Sequence, residues 1–62
     1  MIVYQGWVEM ADNRGEYATH GLSFHLRHDT AIKELYEKVE EWGKDREIII
    51  TKKGINEVEV LE

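Results

Sequence analysis

The sequence predicts a small α+β domain in two layers, ββαββ, with one helix packed on a four-stranded mixed sheet. Three observations lead there. Apolar residues recur at helical spacing between Thr30 and Gly43, they alternate on the segments to either side, and Asp, Asn and Gly cluster between segments. No catalytic, metal or nucleotide motif accompanies them.

Met1 to Met10 alternates as a strand, with Ile2, Tyr4, Gly6, Val8 and Met10 on one face and Val3, Gln5, Trp7 and Glu9 on the other. Ala11 to Gly15 has turn chemistry, because Asp12 and Asn13 bond locally and Gly15 tolerates positive φ. Ala18, His20, Leu22, Phe24 and Leu26 then alternate along a second strand, Glu16 to Arg27, which closes an antiparallel hairpin. The preferred register sets Ile2 opposite Phe24 and Tyr4 opposite Leu22, with Val8 and Ala18 inward. A slip of one residue turns Val3 and Trp7 inward instead.

The helix carries Ala31, Ile32, Leu35, Tyr36, Val39 and Trp42 on one stripe. Lys33, Glu34, Glu37, Lys38, Glu40 and Glu41 take the other side. Asp29 or Thr30 is the expected N-cap, Gly43 the expected C-cap, and Lys44 and Arg46 suit the negative end of the dipole. Glu47 to Thr51 is β-branched, Lys52-Lys53-Gly54 fits a three-residue hairpin loop, and Ile55 to Leu61 alternates again. The expected core is Leu22, Phe24, Leu35, Val39, Ile48 and Val58.

Sixty-two residues, 1–62, allow one domain. Cysteine is absent, so disulfides and thiolate zinc sites are excluded. A net charge of −5 disfavours nucleic acid as a partner. The longest aliphatic run, Ile48 to Ile50, is too short for a bilayer, and the N-terminus lacks a secretory pattern. A cytoplasmic protein that works away from membranes is the expectation, with no cofactor, no metal and no small-molecule substrate.

Candidate functional residues follow from the faces. Val3, Trp7, Tyr17, Ile49, Ile55 and Leu61 fall on the sheet face away from the helix, and apolar area there reads as a protein-binding or homodimer surface. Lys44, Arg46, Lys52 and Lys53 gather in sequence and form an alternative, nucleic-acid-binding set. A third option is an acidic imitation of DNA phosphates by Glu34, Glu37, Glu40 and Glu41. His20, His25 and His28 are the metal candidates, but alternation sets His20 opposite His25, and three imidazoles do not close a four-ligand site. Paired carboxylates such as Glu40-Glu41 have no cleft in which to act, so the sequence predicts a non-enzyme.

The order of elements resembles the β-grasp shape of small immunoglobulin-binding bacterial domains. That resemblance implies first and last strands side by side and parallel at the centre of the sheet. Glu34-Leu35-Tyr36-Glu37-Lys38-Val39, followed by Ile48-Ile49-Ile50-Thr51-Lys52-Lys53-Gly54, resembles the N-terminal half of prevent-host-death antitoxins. This second resemblance runs from Thr30 onward and implies a regulator that uses the Lys44 to Lys53 segment. The Met1 to Arg27 hairpin departs from it.

Overall fold

A computed structural model describes residues 1–61; Glu62, the last residue of the expected domain, lies outside them. The order is ββαβ: β1 (Ile2–Asp12), β2 (Tyr17–His25), α1 (His28–Gly43) and β3 (Ile48–Glu59). The three strands form one sheet in the order β2-β1-β3, antiparallel at both junctions. The four-stranded mixed sheet, and with it the parallel central pair of the β-grasp shape, is therefore corrected to three antiparallel strands.

The correction lies at Lys52-Lys53-Gly54. Instead of turning, these residues pair with Glu9, Val8 and Trp7, and β3 follows β1 from Asp12↔Ile48 down to Ile2↔Glu59. A hairpin there would shorten the third strand and leave much of one edge of β1 without hydrogen-bond partners, and continuing the strand satisfies them. Gly54 has no positive φ, and among the described residues only Gly15 does, at 82°. What Gly54 supplies is room: a Cβ there would lie 2.8 Å from Cζ2 of Trp7. The indole covers the backbone of the glycine, the arrangement by which an aromatic ring compensates a strand glycine.

Two irregularities set the faces. On β2, Gln5 pairs with Phe24 but Trp7 with Gly21, so Leu22 and Ser23 together oppose Gly6. On β3, Glu9 pairs with Lys52 but Met10 with Ile50, which leaves Thr51 as the extra residue. Each bulge flips the alternation beyond it. The second bulge lets Ile55, which lies an odd number of residues from both Ile48 and Ile50, share the helix face with them. The first sends Phe24 outward, opposite Gln5, so the Ile2–Phe24 and Tyr4–Leu22 register and the burial of Phe24 are both overturned. Val58, opposite Val3, also leaves the helix face.

The hairpin itself forms as its turn residues imply. Asp12 Oδ1 accepts from the amides of Arg14 at 2.8 Å and Glu16 at 2.9 Å, while the Gly15 amide donates to the Asp12 carbonyl at 3.1 Å.

The helix begins at His28 after an Arg27 N-cap that makes no side-chain cap bond, so neither Asp29 nor Thr30 caps it. Asp29 instead lies in the first turn, where its charge suits the dipole. Gly43 stays helical and Lys44 is the C-cap in right-handed geometry. The chain then leaves through Asp45, whose amide donates to the Trp42 carbonyl at 3.1 Å and whose Oδ1 accepts from Glu47 at 2.9 Å. Tyr36, expected on the buried stripe, is exposed.

Val8, Met10 and Leu35 form the centre of the core, with Leu22, Val39, Trp42, Ile48, Ile50 and Ile55 packed round them. Leu35 sits over Gly6, where an added Cβ would meet Leu35 Cβ at 3.4 Å and Leu22 Cδ1 at 3.1 Å. This missing side chain lets the helix approach the central strand. Replacing Leu35 by Ala should cost about 2–5 kcal/mol. Urea unfolding checks this, and an unchanged midpoint would show that the helix does not seat there.

Candidate protein-binding face

The helix covers one face of the sheet, and the other face has no second layer within residues 1–61. The register arranges that open face in rows across β2, β1 and β3. Tyr17, Ala11 and Ile49 form the row at the hairpin end. Thr19, Glu9 and Lys52 come next, then Gly21, Trp7 and Gly54, then Phe24, Gln5 and Asn56. Val3 and Val58 close it.

Central positions on this face are filled by side chains that lie down. Trp7 is half-buried over Gly54, and Gln5 leans over Gly21 with Nε2 donating to the Leu22 carbonyl at 3.0 Å. Thr51, at the bulge, places its hydroxyl 2.8 Å from Glu9 Oε1 and 3.1 Å from the Glu9 carbonyl. Three large apolar residues stand proud among the exposed polar groups Thr19, Lys52 and Asn56: Tyr17, Phe24 and Ile49 are 67%, 59% and 64% exposed. Tyr17 also lines a shallow cleft of about 230 Å³ at the hairpin end, with Met10, Asp12, Glu16, His20 and Ile48.

No protein-family model, curated protein or solved structure matches the chain. The site is therefore read from its own geometry.

Of the residues expected on this face, Val3, Trp7, Tyr17 and Ile49 are there, although Val3 is buried among its neighbours. Ile55 is not, because it pairs with Gly6 and packs in the core. Phe24 belongs to the face and was missed, since unbroken alternation carried it inward. Gly21, a glycine inside a strand pattern, was the one local sign of a bulge. Leu61 lies beyond β3.

The alternative sets are dispersed. Lys44 and Arg46 lie in the loop after the helix, while Lys52 and Lys53 are neighbours on β3 and so point to opposite faces. Among the carboxylates, Glu41 lies 3.5 Å from Lys38, and Glu34 is not on the solvent side.

Glu34 ties the helix to the β2 bulge. Its Oε1 accepts from the Ser23 amide at 3.0 Å and lies 3.1 Å from His25 Nε2, with both side chains 22% exposed. The other imidazoles have different neighbours: His28 meets the Tyr4 ring edge-on at 5.3 Å, and His20 lies 5.8 Å from the Trp42 ring. Among the described residues no group of three or more His, Asp or Glu is placed to hold a metal ion.

Burial pushes the Glu34 carboxyl up, but the bonds from His25 and Ser23 outweigh it and hold the group below its ordinary value. A lowered carboxyl stabilises the fold above its unfolded-state pKa, and that contribution is lost as pH falls through the lowered value. Glu34→Gln should therefore cost about 1–2 kcal/mol at neutral pH, the range for a hydrogen bond to a charged group reduced by the partial exposure of the pair. The difference from wild type should shrink in acid. Urea unfolding across pH checks it, and a gap that widens in acid would contradict the assignment.

Trp7→Ala gives a second check. Because the ring lies on Gly54, the substitution should cost about 2 kcal/mol, less than for a fully buried Trp but more than the surface value expected of a protruding ring. Unfolding of the isolated protein, followed by circular dichroism, measures it.

Proposed function

We propose that this protein is a non-enzymatic protein-binding module whose partner docks on the helix-free sheet face. The observation that carries the reading is the trio Tyr17, Phe24 and Ile49, exposed on a face with no covering layer. Large apolar and aromatic groups raised on a flat surface are what a partner desolvates most profitably. The surface round them is ready-made, since Trp7 and Gln5 are already held against the sheet and lose little freedom on binding. Its size is adequate as well. The molecule is a slab with extents of 42, 19 and 13 Å, and its broad side matches the roughly 800 Å² that each partner contributes to a standard interface.

The face is also close to neutral on a chain of net charge −5: its rows hold one acid, Glu9, paired with one base, Lys52. Charge therefore restricts the partner less here than on the helix, where Glu37, Glu40 and Glu41 are exposed.

The test is comparative capture from a lysate of the source cells, with wild type, Tyr17→Asp/Ile49→Asp, and Tyr36→Asp on the helix. The expected result is a discrete protein held by wild type and by Tyr36→Asp and lost at least tenfold with the face variant. Capture that survives the face variant and fails with Tyr36→Asp would move the site to the helix.

A further inference from the structure

The two longest uncharged stretches of the sequence are Met1–Val8 and Tyr17–Leu26. The first, apart from Met1, lies in β1, which is paired on both sides. The second contains all of β2, which is paired on one side only. The opposite edge, β3, carries Lys52, Lys53, Glu57 and Glu59, the charged pattern that discourages strand addition. β2 thus has the composition of a central strand and the position of an edge.

Its backbone phase can be read. The Asp12 amide donates to the Glu16 carbonyl at 2.9 Å, which makes Asp12 and Glu16 a hydrogen-bonded pair. Such pairs alternate along an antiparallel ladder, so Ala18 and His20 exchange bonds with Met10 and Val8. The N–H and C=O groups of Tyr17, Thr19 and Gly21 then point away from β1. Beyond Gly21 the edge is closed by the bulge, where Glu34 has taken the Ser23 amide. The free, regular part of the edge is therefore Tyr17 to Gly21.

We propose that this edge pairs antiparallel with the same edge of a second copy, about a two-fold axis at Thr19. The segment is self-complementary on that axis. Thr19 meets Thr19 of the second copy, a favourable cross-strand pair. Tyr17 meets Gly21, which has no side chain to obstruct the ring, and Gln5, already lying over that glycine, offers the ring a flat amide surface. Ala18 meets His20, and the acidic residues stay off the seam, so two chains of charge −5 meet where neither is charged. The product is a six-stranded sheet with both helices on one side. The seam is a backbone edge that shares Tyr17 with the helix-free face, and it leaves Phe24 and Ile49 uncovered, so the pairing does not depend on what binds at those two residues.

The absence of native cysteine makes the test clean. Thr19→Cys, oxidised with glutathione disulfide, should give a disulfide-linked dimer at least tenfold faster than Asn56→Cys on the β3 edge. Light scattering of wild type should show twice the chain mass, falling to the monomer in Ala18→Lys/Thr19→Lys and unchanged in Ile49→Asp. A wild-type monomer at millimolar concentration would overturn the proposal. So would equal cross-linking of the two cysteines, or a dimer abolished by Ile49→Asp alone, which would assign self-association to the helix-free face.

Discussion

One helix cannot cover both faces of a sheet, and this constraint governs how the chain spends its side chains. The covered face takes the aliphatic residues, Val8, Met10, Leu35 and the three isoleucines, 48, 50 and 55. The uncovered face must be kept from losing its backbone bonds to water without a second layer. It does so by folding side chains flat against the sheet, Trp7 over Gly54 and Gln5 over Gly21. Each is a large or amphipathic group beside a residue with no side chain of its own. The apolar residues that remain upright are few and lie toward the β2 and β3 margins, which makes the face a surface rather than a missing core.

The two bulges are the means by which a simple alternating chain serves both faces. Without the Thr51 bulge, Ile55 and the Ile48–Ile50 pair would stand on opposite sides and the core would lose one or the other. Without the Leu22–Ser23 bulge, Phe24 would face the helix and the Ser23 amide would stay in the strand. As it is, that amide bonds to Glu34, so one carboxylate fixes the strand irregularity and the angle of the helix together. The same bond removes Glu34 from any acidic recognition row on the helix surface.

How much of this was legible depended on the length of the pattern. The helix and the first hairpin are carried by long, consistent signals, and their existence follows from periodicity and turn chemistry, as do their faces apart from Tyr36 and the part of β2 beyond its bulge. Gly54 was the misleading residue. A glycine after two lysines has the composition of a turn, and only the position of Trp7 across the sheet shows that the space is needed for a ring. That contact joins residues 47 apart in sequence, so no local rule contains it. One extra residue at a bulge is likewise invisible to alternation counts, which is why Phe24 and Ile55 exchanged faces while Tyr17, Trp7 and Ile49 kept theirs. The basic residues illustrate the reverse error: neighbours in sequence, Lys52 and Lys53, are on opposite sides in space.

The account rests on β3 running unbroken beside β1 with Trp7 lying on Gly54. The most direct measurement is the proton NMR spectrum of the protein. Ring currents from Trp7 should shift the Gly54 Hα protons strongly upfield, with nuclear Overhauser contacts between them and the indole. Gly54 Hα protons at ordinary shifts, with the Trp7 indole in contact with Leu35 or Val39 instead, would contradict the register and the assignment of both faces.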